Sequence, residues 1–224
     1  MSERIIVKGE DSSPEVCLVE FRLIFRERLP SSGNQSQGKA QHVVRRQIHP
    51  QLRRLWATNK NLRELAMNAQ EARDLLRGNM PEEERFNVGI GSIAKRWQCA
   101  GYDLVPMVTR ELDLRCAIDV LIMWGQEDRY VLQRGDLDGH IKTLIDGLRR
   151  PRDTGEAGSM EPADDEKPMF CLLEDDRYIT DFQVTTDELL LLPDEKPLCA
   201  RDVFAVIHVR LSHRNARAFG NYFG

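Results

Sequence analysis

Two hydrophobic periods, one typical of strands and one typical of helices, alternate along this 224-residue chain. Apolar and polar residues alternate from 16 to 26 (VCLVEFRLIFR), and the stretch 112–124 is dense in β-branched residues and ends in a tryptophan. From 138 to 148, apolar residues recur instead at i, i+3, i+4 and i+7, which is the spacing of one helix face. Two further strands are predicted at 178–185 and 203–211. The pattern predicts an α+β fold, a mixed β-sheet with packed helices in a single domain.

Three shorter segments have less regular patterns. The segment 31–39 (SSGNQSQGK) is predicted to be a loop because small and polar residues dominate it. A helix is predicted to begin at Pro50, because proline suits the first helical position and His49 can serve as the cap before it. Gly89 and Gly91 interrupt a region that is predicted to be a strand or irregular.

The chain divides into five consecutive parts within that single domain. A polar leader covers 1–15, and the segment 16–148 holds a strand, a long helical region, a second strand and a second helix. An acidic insertion rich in proline and glycine follows at 150–168 and is predicted to be flexible. The remaining strands lie within 169–211, and 212–224 is a basic tail with aromatic residues.

Composition limits the class of protein. The chain is 41% hydrophobic and 30% charged with a net charge of −4, which is typical of a globular protein and not of a disordered one. The best apolar run, 117–124, is interrupted by Asp119 and is too short to span a bilayer, and no secretory signal is visible, so we expect a cytoplasmic protein without a membrane partner. Five widely spaced cysteines without a CxxC pair indicate reduced thiols and no zinc site.

The charge is distributed unevenly. Between residues 39 and 73, eight basic residues stand against two acidic ones, a net charge of +6, whereas between 153 and 202 fifteen acidic residues stand against four basic ones, a net charge of −11. One basic face is what phosphate recognition needs, although charged helices are often simply solvated. The residues predicted to contact DNA are Arg45, Arg46, Arg53 and Arg54, together with the basic tail.

Carboxylates are concentrated at two places beside secondary-structure boundaries. Asp136 and Asp138 lie where a helix begins, and Lys142 lies one helical turn beyond Asp138 on the same face. Three acidic residues, 174–176, precede a predicted strand that contains Asp181. If the strand runs beside the helix, the carboxylates converge and can bind Mg²⁺, and the lysine can stabilise charge at a phosphate.

Each of these features also has a simpler interpretation. Asp136 or Asp138 can cap the helix, because aspartate accepts hydrogen bonds from free helical N–H groups. The acidic run 174–176 can be a solvated loop. His140, beside the first carboxylates, is either a bystander or an aid to binding water or phosphate. The arginines at 149, 150 and 152 either complement the helix dipole or contact phosphate.

Taken together, the two acidic segments resemble the RusA-like family of Holliday junction resolvases. The matching stretches are GDLDGHIKTLIDGL, from residue 135, and LLEDDRYITDFQV, from residue 172. The resemblance implies that Asp136, Asp138 and Asp176 hold Mg²⁺, with Mn²⁺ as the alternative ion, and that Lys142 is catalytic. Asp175 and Asp181 are candidates to support the metal ligands. The chain departs from the family pattern at Gly139, where the family has asparagine, and in its acidic insertion.

The resemblance implies a Mg²⁺-dependent endodeoxyribonuclease that cuts branched DNA such as Holliday junctions, in DNA recombination and repair. A homodimer is expected, because resolving a four-way junction needs two symmetry-related cuts. The alternative function is a structure-specific DNA-binding module of the same fold with weak or no nuclease activity. Gly139 and the acidic insertion at 150–168 motivate that alternative. Hydrolysis of a small phosphate ester is a third hypothesis, and it needs an enclosed pocket.

Overall fold

The computed structural model describes residues 5–7, 17–29, 37–69, 80–124, 137–158, 161–190 and 202–214. The helices of this part of the chain are α1 (Gln37–Thr58), α2 (Lys60–Met67), α3 (Glu82–Arg96) and α4 (Leu137–Leu148). The strands are β1 (Ile5–Val7), β2 (Cys17–Arg28), β3 (Gln98–Cys99), β4 (Tyr102–Val108), β5 (Leu114–Trp124), β6 (Met169–Leu173), β7 (Ile179–Glu188) and β8 (Asp202–His213). The predicted α+β class is confirmed.

The strands form two mixed sheets. The larger has the order β1-β7-β5-β8-β2, in which β5 and β7 are parallel and the other neighbours are antiparallel. The smaller has the order β3-β4-β6, with β4 and β6 parallel. The segment between β5 and β7 includes α4 and β6, so α4 belongs to the crossover that joins two parallel strands.

The main core lies on one face of the large sheet, which we call the inner face. Its strand residues include Leu23 of β2, Ile118 of β5 and Ile207 of β8, all essentially inaccessible to solvent. Helix α1 packs against this face through Ile48 and Trp56, and residues of the small sheet join the same cluster. The inner face therefore carries the helices, and we call the opposite face of the large sheet the outer face.

Helix α1 is longer than the sequence predicts. It begins at Gln37, inside the segment predicted to be a loop, and it continues through Pro50, so the predicted start at Pro50 is wrong. Proline removes one helical hydrogen bond, but Ile48 and Leu52 on either side of it are fully buried. Apolar packing on both sides of the proline holds the helix together.

Helix α3 replaces the strand or irregular segment predicted around Gly89 and Gly91. Gly89 faces the backbone of α2, and a Cβ atom added to it would lie 2.3 Å from the carbonyl oxygen of Ala66. Apart from its chain neighbours and the nearby backbone of its own helix, a Cβ atom added to Gly91 would have nothing within 4 Å. Only Gly89 is therefore required by the close approach of the two helices.

The sequence predicts a flexible acidic insertion at 150–168, but its described residues pack on α1. Glu166 is buried and its carboxylate lies 2.7 Å from Nε of Arg46. His49 Nδ1 accepts a hydrogen bond from the Phe170 N–H, so its Nε2–H donates to the carbonyl oxygen of Asp165. Burial lowers the pKa of His49, in keeping with a neutral ring. These contacts hold the described part of the insertion against the helix.

The structure also describes four of the five cysteines and the lengths of the helices. The described cysteines are free thiols, as expected, with Cys116 and Cys171 buried. No helix in the described ranges combines the length and the hydrophobicity needed to cross a bilayer.

Candidate functional site

Asp138 and Lys142 lie near the start of α4 with both side chains exposed. Their i, i+4 spacing puts their Cβ atoms about 6 Å apart on one helix face. This end of α4 lies beside the carboxyl end of β5, because the ring of His140 packs edge-on against Trp124 with 5.7 Å between ring centroids. Asp136 lies outside the described residues. The described part of the predicted site is thus an open carboxylate with an ammonium group one turn away.

Asp175 and Asp176 lie directly after β6, in the short connection to β7. Asp175 caps the 3₁₀ helix Asp176–Tyr178 and accepts a hydrogen bond from the Arg177 N–H at 3.1 Å. Nη2 of Arg152 lies 3.6 Å from the Asp175 carboxylate and 3.9 Å from that of Asp176. Burial alone would raise the pKa of Asp175, but this hydrogen bond and the nearby arginines lower it. Both carboxylates therefore have the Arg152 guanidinium within 4 Å.

The two acidic segments lie at opposite ends of β5. Asp138 is two residues from His140, which contacts Trp124 at the end of this strand. Asp176 is three residues from the start of β7 at Ile179, which is paired with Cys116 near the beginning of β5. Eight strand residues between the two marks correspond to about 26 Å. Asp138 and Asp176 are not brought together within one chain.

Two further observations agree with this separation. The bridge between Arg149 and Leu173 places β6, and the acidic residues after it, beside the last residues of α4. Among the residues that the structure describes, no group of three or more His, Cys, Asp or Glu side chains is arranged to hold a metal ion. The predicted convergence of helix and strand carboxylates thus has no counterpart inside the described chain.

Asp181 occupies a third location. It pairs in register with Ala117 of β5, on the outer face of the large sheet. The helices lie on the inner face, so the sheet separates Asp181 from Asp138. Asp181 is therefore remote from Asp138, one of the ligands it was predicted to support.

The four arginines predicted to contact DNA have different environments. Arg45 is fully buried, so it cannot contact a phosphate, and its prediction as a DNA ligand is wrong. Arg46 is half exposed but paired with Glu166. Arg53 and Arg54 are exposed on the second half of α1. The basic surface on α1 is therefore smaller than the charge count predicts.

Arg45 belongs to a buried polar cluster that the sequence did not reveal. Its partner Arg149 is also buried and makes hydrogen bonds to the carboxylates of Asp146 and Glu156, from 2.7 to 3.1 Å long. Gln41 of α1 donates to the other oxygen of Asp146 at 3.1 Å. The hydrogen bonds from Arg149 lower the pKa of Glu156 to about 2. Both interpretations of Arg149, dipole partner and phosphate ligand, are replaced by a structural role.

One sequence signal could have pointed to this cluster. Asp146 lies in the last turn of α4 and Arg149 directly follows the helix, so the two have the i, i+3 spacing at which opposite charges can pair. Glu156 comes from the insertion, and Arg45 comes from α1, more than 100 positions before Asp146 in the sequence. Only the tertiary arrangement defines those contacts.

Comparisons with protein-family models, with curated proteins and with solved structures found no match. The resemblance to the RusA-like family therefore remains a prediction from the two acidic segments.

Proposed function

We propose that this protein is a Mg²⁺-dependent endodeoxyribonuclease acting on branched DNA, with its chemistry at the start of α4. The observation that carries the proposal is the exposed Asp138–Lys142 pair at the carboxyl end of the parallel β5 and β7 strands. In open α/β sheets, ligands are bound outside the carboxyl ends of the strands. A helix N-terminus there also favours a phosphate group.

The residues at this end offer Mg²⁺ one or two carboxylates. Mg²⁺ is commonly bound through one or two carboxylates, with waters and substrate phosphate oxygens completing the octahedron. Asp138 offers one exposed carboxylate, and Asp136 precedes it by two residues. The bound ion would activate water and neutralise charge at the scissile phosphate. Asp176 is not required to meet this minimum.

Lys142 supplies a second, independent positive charge. Its side chain is exposed one turn beyond Asp138, on the same face of α4. An ammonium group at that distance stabilises the charge that develops on the phosphate or on the leaving oxygen. In this proposal Asp138 holds the metal ion and Lys142 stabilises the negative charge on the phosphate, and both side chains are carried by the same helix.

The test is cleavage of a synthetic four-way junction beside a linear duplex of the same sequence, with Mg²⁺ and with chelator. We expect paired symmetric cuts by the wild type, and a loss of at least roughly 100-fold in kcat for Asp138→Asn and Lys142→Met. Asp164→Asn is the matched control, since Asp164 is a fully exposed carboxylate whose only described ion pair is the local one with Lys167. Equal cutting by wild type and Asp138→Asn would overturn the proposal.

Asp176 needs its own experiment because it lies far from Asp138 in one chain. Asp176→Asn alone should retain activity if the residue is outside the site. If Asp176→Asn is inactive, mixing it with Asp138→Asn tests a site shared by two copies. Recovered cutting in the mixture would assign Asp176 to the partner's site, and no recovery would exclude that.

The second candidate function is a structure-specific DNA-binding module that cuts weakly or not at all. The separation of the acidic segments favours it, because carboxylates that do not converge make a weaker metal site. Tight junction binding by both wild type and Asp138→Asn, without cutting, would support this function. Binding should then weaken with salt, as phosphate contacts require.

A further inference from the structure

The outer face of the large sheet carries a band of apolar side chains. The strand register places Ile24, Val206 and Leu121 in one row across β2, β8 and β5, and Phe204 and Met123 in the next. None of these five residues belongs to the hydrophobic cores or packs against them. Ile24 is 48% exposed, whereas its strand neighbours Leu23 and Phe25 are buried.

The two edges of this face carry opposite charges. On β2, three arginines point to the outer face, namely Arg22, Arg26 and Arg28. On β7, the register puts Asp181 and Asp187 on the same face. Three strand spacings, about 14 Å, separate β2 from β7, so the two groups do not neutralise one another within the chain.

The interior of the face is already balanced. Arg210 Nη1 lies 2.8 Å from the Asp119 carboxylate, and His208 Nε2 lies 2.6 Å from that of Glu20. The arginines of β2 make no ion pair with any residue in the described ranges. The face as a whole thus has little net charge, which disfavours a nucleic acid as its occupant.

We propose that a second copy of this chain stacks on the outer face, about a twofold axis parallel to the strands between β5 and β8. Two sheets packed face to face keep their strand directions within about 30°. This axis puts β2 of one copy over β7 of the other, and arginine over aspartate. An axis across the strands would instead put β2 over β2, with arginine facing arginine.

The register gives specific contacts for this arrangement. Leu121 lies over the partner's Val206, and Met123 over the partner's Phe204, so apolar side chains meet near the axis. Arg26 lies over the partner's Asp187. Because the axis is twofold, the same ion pair forms at both edges of the interface. Glu20 lies over the partner's Asp181, which is a like-charged pair. This pair lies two rows from Ile24, where the crossing angle between the two sheets moves facing residues apart.

The size of the face suits a stable dimer. Four strands at about 4.8 Å spacing and ten residues at about 3.3 Å per residue give a plane of roughly 600 Å² on each copy. Typical specific interfaces bury about 800 Å² on each partner, and side chains enlarge the accessible area beyond the plane. The outer face can therefore supply most of such an interface.

This dimer deepens the proposed function, and that consequence rests on the proposed function. An axis parallel to the strands keeps both α4 N-termini at the same end of the dimer, on opposite sides of the axis. A four-way junction centred on that end would meet two equivalent sites. The dimer does not bring Asp138 near the partner's Asp176, so shared-site complementation would argue for a different interface.

The experiment is sedimentation equilibrium of the full chain with charge-reversal variants. Arg26→Glu and Asp187→Arg should each weaken dimerisation by roughly tenfold or more, because each substitution disrupts two ion pairs. The double variant Arg26→Glu/Asp187→Arg should recover most of the affinity. Because the two residues lie on opposite edges of one sheet, recovery can only come from contacts between copies.

A second measurement covers variants that fold poorly. In a Cys17→Ser background, which removes an exposed thiol, a bismaleimide that spans about 10 Å should join Ile24→Cys to Thr185→Cys only when the two proteins are mixed. Facing sheets lie about 10 Å apart, which is too far for a disulfide, whereas positions 24 and 185 are about 14 Å apart within one chain. Glu84→Arg on α3 is the exposed control that should leave dimerisation unchanged. A wild-type monomer, or charge reversal without effect and no crosslink, would overturn the dimer. Junction cleavage, measured separately, decides the proposed function.

Discussion

Nε of Arg45 donates a hydrogen bond to the carbonyl oxygen of Arg149, 2.9 Å away, at the residue that follows α4. The same guanidinium donates to the carbonyl oxygens of Asp146 at 2.8 Å and Glu156 at 2.6 Å. The last carbonyl groups of a helix lack partners within the helix. One side chain of α1 therefore closes the end of α4 and holds the chain beyond it.

Replacing Arg45 should affect stability and not DNA affinity. Arg45→Ala leaves three backbone carbonyls without their donor and should cost about 3 kcal/mol or more in the free energy of unfolding. Arg53→Ala and Arg54→Ala, on the same helix but exposed, should change stability by less than about 0.5 kcal/mol. Urea unfolding measures both effects. A stable Arg45→Ala protein would contradict the role of this arginine.

The same three variants separate a structural residue from a DNA-contacting one. If Arg53 and Arg54 contact phosphates, each alanine substitution should lower the slope of log K against log salt by about 1. Filter binding to a four-way junction at several salt concentrations measures the slope. An unchanged slope would remove α1 from the DNA surface.

The acid stability of the fold should depend on Glu156. Hydrogen bonds from Arg149 lower its pKa from 4.5 to about 2, so the folded chain binds this proton less readily than the unfolded chain does. The resulting stabilisation is complete above pH 4.5 and is lost as the pH falls toward 2. We expect a contribution on the order of 1–2 kcal/mol, reduced by partial exposure to water.

Urea unfolding at pH 5 and pH 3 tests this dependence. Glu156→Gln should be less stable at pH 5 and should lose less stability on acidification than the wild type does. Glu84→Gln, an exposed carboxylate of α3, is the control and should retain the wild-type slope. The same slope in Glu156→Gln and wild type would show that another carboxylate is responsible.

Two glycines of α3 should respond to alanine in opposite directions. At Gly89 a Cβ would lie 2.3 Å from the carbonyl oxygen of Ala66, so Gly89→Ala must separate α2 from α3 and should cost about 2–3 kcal/mol. At Gly91 nothing lies within 4 Å, so Gly91→Ala should stabilise the helix by about 0.5–1 kcal/mol. Thermal unfolding of both variants measures the two effects. Equal shifts in the unfolding temperature would refute the close approach of α2 and α3 at Gly89.

The edge strand β2 should become prone to pairing with other chains when its glutamine partner is removed. Gln51 of α1 accepts from the Ile24 N–H and donates to the Ile24 carbonyl oxygen, at 2.9 and 2.7 Å. Gln51→Ala should cost about 1–2 kcal/mol and expose an edge that can pair with another chain. Light scattering on heating should rise earlier than for Thr58→Ala, an exposed control on the same helix. Identical scattering would mean that the edge is protected by other means.

The strands that could be predicted are those with one buried and one open face. β2, β5 and β8 largely alternate in burial, and their hydrophobic patterns predict them closely. β7 is also predicted closely, although Val184 is its only buried residue. β4 and β6 escape prediction because nearly every residue in them is buried, so their sequences show no period of two. Pro106 within β4 further obscures that strand.

The candidate site divides in the same way between local and distant relationships. The spacing of Asp138 and Lys142 determines that they share a helix face, and the structure has them on α4 as predicted. The distance between Asp138 and Asp176 depends on the direction of the crossover from β5 to β7, which no local pattern specifies. Burial of Arg45 likewise depends on α4 and the insertion, so its charge alone suggested a surface residue.

The glutamines of α1 have a consequence for how the helix is located along the sheet. Gln47 contacts the N–H and carbonyl of Arg26 as Gln51 contacts those of Ile24. Four helical residues advance about 6.0 Å, and two strand residues advance about 6.6 Å, so the two repeats are nearly commensurate over one step. Sliding α1 by a single residue would break both amide pairs at once. The backbone of an edge strand thus sets the axial position of α1, and with it the point at which Arg45 meets α4.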